Sequence, residues 1–469
     1  MIARSLGRTP TSCTVPRGEK NKAKVRFMVC MLVRGVVLGG MIHVILIIFT
    51  SLALVPRLSA QDAVGPEIPI ILEHADSLVG TGPMGSAIRT FIGNVRFAQG
   101  NVTGRCHKVL HDVARNSVEL TGSVEIRQGD LTISAPAITY EGATSIATAA
   151  NGIRVQQKDV VVTSKAGSYD LRRRLASFQR DVRAIDDSVR IWCDSLEYDR
   201  DRDTMLARGN VQILDSAGNA WFRSNVARRD AAGRSIELIG AAQAWSWSAD
   251  SVDSADTTYI SGDKLQSRPT SQGESASLLV ATGNVRMVRG STASTSGVLH
   301  YNDAAGIILL TESPTVWSDS SVLQADTITA ESKDRQLRTV TGTGKAVLLS
   351  PSDTLLPVRF DQISGNTIVM RFVSDTVRTL RANGDAVSIT FRKESGERKG
   401  LAKVAADSIE AGIISDEVTD VVWLGGVSGE SHPERLVRDR EPEFLLPGVR
   451  IPDGRPQYVP CLSRRALLR

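Results

Sequence analysis

The chain has 469 residues, enough for two or three compact domains or for one long repeat array. Hydrophobic residues make up 42 % and aromatics 5 %, so the apolar atoms come mainly from Val, Ile, Leu and Ala, which excludes a large aromatic-rich core and suits thin stacked layers. The net charge of +5 belongs to the N terminus: residues 1–60 hold nine Lys/Arg and one acid, leaving 47 basic against 50 acidic residues, and with no basic face evident the sequence argues against a nucleic-acid partner.

The first predicted element is a leader. Eight basic residues from Arg4 to Arg34 precede an apolar run, Val36 to Val55, and LSA ends at Ala60 before Gln61, the pattern of a secretory signal. The run also approaches the length that spans a bilayer, so residues 1–60 are expected to be either a cleaved signal peptide or an N-terminal membrane anchor. Both send the remainder out of the cytoplasm. Cys13 and Cys30 go with the leader; Cys106, Cys193 and Cys461 remain, too few for a disulfide framework.

A repeated phrase then governs the chain. FIGNVRF (91–97), LTGSVEI (120–126), LARGNVQILD (206–215), VATGNVRM (280–287), TGTGKAVLL (341–349) and RANGDAVSI (381–389) are near-copies. Numbered by their turn residue, the units fall at Gly93, Gly122, Gly152, Asp181, Gly209, Gly240, Gly283, Ser313, Gly344, Gly384 and Gly425, most of them about 29 residues apart. Half a period away stands a second phrase: ADSLVG (75–80), CDSLEY (193–198), GDKLQS (262–267), ADTITA (325–330) and ADSIEA (406–411). Each unit therefore has two strands.

After each turn residue apolar and polar side chains alternate, the period of a strand with one apolar face. The body is expected to be all-β, with similar units stacked at about 4.8 Å per layer, so that eleven layers make a rod of roughly 50 Å. The expected inward residues are Val95, Phe97, Val124, Ile126, Val155, Val211, Ile213, Val285, Met287, Val347 and Leu349, with Leu131, Ile133 and Leu265 on companion strands. Side-chain parity does not tell a filled interior from an open one. The recurring Asp76, Asp194, Asp263, Asp326 and Asp407 read as turn caps before strands, because a catalytic acid would occur once. Cys106, His107 and His111 have ligand-like types but no second cluster to complete a zinc site, so no metal, cofactor or catalytic residue is expected. Trp245 and Trp247 mark a lip of the interior, a partner contact or the cover of a layer.

The paired phrases A-x-GNV-x-[IFM] and AD-x-[IL]-x-[YA] resemble the organic-solvent-tolerance (OstA-like) family, the periplasmic lipopolysaccharide-transport domains of LptA/LptC type in Gram-negative outer-membrane biogenesis. The resemblance covers about 70 to 430 and implies a β-jellyroll opened along one side, a β-taco, whose apolar interior holds lipid A acyl chains. It also implies head-to-tail pairing of strand edges with other Lpt proteins, a path to the outer-membrane translocon, and a periplasmic location, free, anchored in the inner membrane or associated with the outer one. On this reading residues 61–247 and 248–430 are two runs of OstA-like repeats, and 431–469 is a Pro-rich tail. Two alternatives are a secreted structural β-solenoid with a closed core and, less favoured, a β-helix enzyme acting on polysaccharide.

Overall fold

The computed structural model describes residues 70–460, apart from short internal segments of which 248–256 and 270–276 are the longest; the leader and Cys461 lie outside the described residues. The described residues form 28 strands in one hydrogen-bonded sheet. The expected all-β fold is present, but its unit is a β-hairpin. LARGNVQILD lies on strand Thr204–Asp215 and CDSLEY on Val189–Asp199, and the two run antiparallel from Asp199↔Thr204 to Val189↔Asp215.

This arrangement revises the expected length. A chain that reverses at each end needs only a tight turn to reach the next strand, so each unit advances two strand spacings instead of one. Six levels consist of two short strands in line, such as Ile146–Ala149 with Ile153–Gln157, so the 28 strands make 22 levels. At about 4.8 Å per level the sheet is about 100 Å long. Antiparallel pairing throughout also separates it from a parallel β-helix. The ladder crosses the expected boundary at 247/248 without a break, Ser246 pairing with Thr258.

The repeated Gly is not a corner between strands. It sits mid-strand, where Gly209 and Asn210 take φ of 78° and 46° and the register with the neighbouring strand shifts between Trp192 and Ser195. All eleven turn residues read from the sequence have positive φ at this point. Every level is thereby creased in its middle, giving two arms that share one apolar interior: Leu196 and Leu238 on one arm and Ile213 and Ile260 on the other belong to a single buried cluster running from Val162 to Ile413.

The Pro-rich segment is docked. Arg359, 2 % exposed, is bonded by Glu434 and Glu441 at 2.8 Å each. Gln362 donates to the carbonyl of Phe444 and accepts from the N–H of Leu446, and Gln324 makes the same pair of bonds with Arg450. Trp245 donates to the carbonyl of Val459 at 2.8 Å. The segment thus runs back along the outside of one arm over a ladder of Trp221, Trp245, Tyr259 and Trp317. Trp245 lies on that outer face, not at a lip of the interior.

Candidate functional site: a trough open at one end

Along the crease, the AD phrase of one strand meets the GN phrase of the next. Asn94 donates to Asp76 Oδ2 at 3.1 Å, Asn210 to Asp194 Oδ2 at 3.2 Å and Asn284 to Asp263 Oδ2 at 3.2 Å. The repeated acids are therefore exposed crease clamps. Asp194 and Asp263 lie inside strands rather than before them, which corrects the turn-cap expectation in position while keeping its structural character.

The inner face changes character along the sheet. On one arm the row nearer the rim reads Arg89, His111, Val118, Tyr140, Ala147, Tyr169, Ala176 and Tyr198 through successive partners. Beyond Tyr198 the same row becomes Met205, Arg229, Ile236, Ser267, Leu279, Tyr301 and Ile308. From Arg89 to Tyr198 every member of the row is exposed or half-buried, and from Met205 to Ile308 every member is buried, the polar Arg229, Ser267 and Tyr301 included. At the junction Tyr198 donates to Asp203 Oδ1 at 3.2 Å, and Arg229, 6 % exposed, reaches the same oxygen at 3.4 Å. Burial, then the adjacent Asp203 charge, pushes the Tyr198 phenol up to about 12.

The expected inward residues divide accordingly. Val95 and Val124 are buried at the base of the crease, while Phe97, Ile126, Leu131, Ile133 and Val155 are only half-buried and face the open part. Val211, Ile213, Leu265, Val285 and Met287 are inward but fully packed, none more than 5 % exposed. Val347 and Leu349 point the other way. They belong to the outer aromatic ladder, and Ala346 and Leu348 take the inner places. Counting from Gly344, the second and fourth residues face in, as they do after Gly283, so the expected pair was displaced by one residue, which inverts the face.

Cys106 is a buried thiol and Cys193 another, six levels or about 30 Å apart. Burial raises the Cys193 thiol to about 12. His107 stands outside while Cys106 faces in, and no group of three or more potential ligands converges among the described residues.

Sequence comparison places a family on the open part. Residues 67–216 match the model of the OstA-like protein. This stretch is an OstA-like domain. It ends one residue past strand Thr204–Asp215, where the row passes from half-buried Tyr198 to buried Met205. No curated protein matches the chain. Among solved structures, LptH of Pseudomonas aeruginosa, described as the LptA homologous periplasmic component of its lipopolysaccharide transport device, is similar at 12 % identity and a TM-score of 0.19, covering 33 % of this chain and 82 % of that one.

The outer surface of the OstA-like domain carries a feature that linear reading missed. In register across neighbouring strands stand Arg96, Arg105, Glu125, Ser134, Arg154, Thr163 and Arg183. The row holds four arginines, of which Arg105 is paired with Glu125 at 2.7 Å and Arg183 with Asp181 at 3.3 Å. Neighbours in the row are 9 to 20 positions apart in the sequence, and only strand pairing gathers them.

Proposed function

We propose that this chain is an exported, non-enzymatic carrier in lipopolysaccharide transport that seats acyl chains in the open trough of its OstA-like domain. The observation carrying the reading is the run of half-buried Phe97, Ile126, Ile133 and Val155 on the inner face. Each methylene left in water costs about 0.8 kcal/mol, so one lipid A acyl chain gains on the order of 10 kcal/mol by entering such a trough. The closed remainder acts as a spacer.

Free strand edges support head-to-tail pairing with related Lpt domains on the way to an outer-membrane translocon. Among the described residues, at one end Ile71–His74 and Ser77–Thr81 pair only with Ile88–Gln99; at the other Glu417–Leu424 and Ser428–His432 pair only with Glu397–Ile414. Leu78 and Val79 on the first edge are 60 % and 50 % exposed, as apolar residues awaiting a partner would be.

A second reading, a structural rod with a dry core, is favoured by the continuous buried cluster from Val162 to Ile413. A photocrosslinking residue at Ile126, Ile133 or Ile213 separates the two in cells. Lipopolysaccharide adducts at Ile126 and Ile133 but not at Ile213 are expected; absence of adducts at the first two overturns the carrier reading.

A further inference from the structure

The mouth of the trough is bordered by polar side chains that keep the repeat period. On one arm His111, Tyr140, Tyr169 and Tyr198 follow at steps of 29 residues, on every second level of the rim row, with Val118, Ala147 and Ala176 between them. On the other arm Gln99, Gln128 and Gln157 also follow at steps of 29 and alternate with Val102 and Leu131. The two series are out of step. Strands Val102–Asp112 and Leu131–Glu141 carry their aromatic ring on one arm and Val102 or Leu131 on the other, whereas Ser117–Gln128 carries Val118 and Gln128. From Val102 to Tyr169 each level therefore gives the mouth one polar group, from alternate arms. On the outer face the same step of 29 changes the charge, from Arg96 to Glu125 to Arg154. Little net charge stands near the mouth: Arg89 begins the row, and the turns beyond it, 112–116, 141–145, 170–174 and 199–203 on one arm and 100–101, 129–130 and 158–159 on the other, hold seven basic and eight acidic residues. Arg115, Arg173 and Arg202 are each paired with an acid of their own turn, Asp112, Asp170 and Asp199.

We infer that this rim reads the uncharged linkage zone of an acylated amphiphile, the ester and amide groups and sugar hydroxyls just above its chains, and that phosphate contributes nothing to selection there. A tyrosine at the border of an apolar bed keeps its ring among chains and its hydroxyl in the wet layer. Tyr hydroxyls and Gln amides both donate and accept, so they match esters, amides and hydroxyls, which lose water as the chains below them are covered and need partners in exchange. Phosphate recognition would instead call for guanidinium forks converging on the mouth. Tyr198 is bonded to Asp203 and Gln128 to Asn101, which leaves Tyr140, Tyr169 and Gln157, on three successive levels, as the groups best placed to meet a ligand. The assignment rests on the acyl seat, since the rim selects only a molecule whose chains lie in the trough below it.

The test uses the full chain and the apolar dye N-phenylnaphthylamine, whose fluorescence reports an apolar site, displaced by lipid A carrying both phosphates or by the same lipid after phosphatase has removed them. The two lipids are expected to displace the dye within about twofold of each other, at low and at high salt alike, because no screened charge pair is involved. The triple variant Tyr140→Phe, Tyr169→Phe, Gln157→Leu is expected to bind the dye like the parent and to bind both lipids at least about tenfold more weakly, as loss of three neutral hydrogen bonds would require. A preference of tenfold or more for the phosphorylated lipid, or parental lipid affinity in the triple, overturns the rim assignment while dye and lipid binding leave the seat standing. Failure of the parent to bind either dye or lipid overturns the seat and the rim together. Loss of dye binding in the triple overturns the rim as a hydrogen-bonding element, because it shows these groups to shape the apolar bed itself.

Discussion

The carboxylate of Asp194 occupies the space where a side chain at Gly209 would stand, and it accepts a hydrogen bond from Asn210 at 3.2 Å. Asp76 and Asp263 fill and bond the creases at Gly93 and Gly283 in the same way, and Asp326 and Asp407 fill the space at Gly344 and Gly425. Two phrases half a period apart in the chain are thus one device in space: the Gly permits the left-handed crease and the Asp fills and bonds it.

Gly209→Ala should therefore be costly. Its φ of 78° is unfavourable for alanine and its Cβ would collide with Asp194, so a loss of at least about 1–2 kcal/mol is expected in chemical denaturation. Adding Asp194→Ala should recover only part of the loss, because it removes the collision and leaves the backbone strain. Full recovery would show the φ constraint to be unimportant.

The open and closed parts should respond differently to truncation. Ile260→Ala, at a fully buried inner position, should cost about 2–5 kcal/mol, whereas Ile133→Ala, half-buried in the trough, should cost about 1 kcal/mol. Similar losses at both sites would mean that the trough is packed like the rest.

The docked C-terminal segment depends on Arg359. Removing this guanidinium leaves Glu434 and Glu441 facing each other with most of their surface buried, so Arg359→Ala should cost about 3–5 kcal/mol and release residues 433–460. Limited proteolysis followed by mass spectrometry should show new cleavage in that segment while the sheet stays intact.

Asp361 gives the same region a pH dependence. Burial pushes its carboxyl from 3.8 up to about 7, against the hydrogen bond from the Phe391 N–H at 2.8 Å and the pull of Lys393. Between these values the folded state holds a proton that the unfolded chain has lost, so this contribution to stability is full below about pH 4 and falls as pH rises towards 7. Asp361→Asn keeps the acceptor for Phe391 and should remove the fall; denaturation midpoints at pH 5 and pH 8 would then differ less than in the parent.

Much of this architecture is legible in the linear chain. Alternation with period two determines strands, and the eleven turn residues read from the sequence all lie at creases, because only a few residue types tolerate left-handed positions. Tertiary structure decided the rest, for reasons of pairing and packing. Whether a 29-residue unit is one level or two depends on strand direction, which local alternation does not encode. Val347 and Leu349 change faces through a single step of register, and the outer row from Arg96 to Arg183 exists only because strands distant in sequence lie side by side. The inner face closes at Met205, from which every member of the row through Ile308 is buried, a property of side chains packed across the crease and not of any one stretch of sequence.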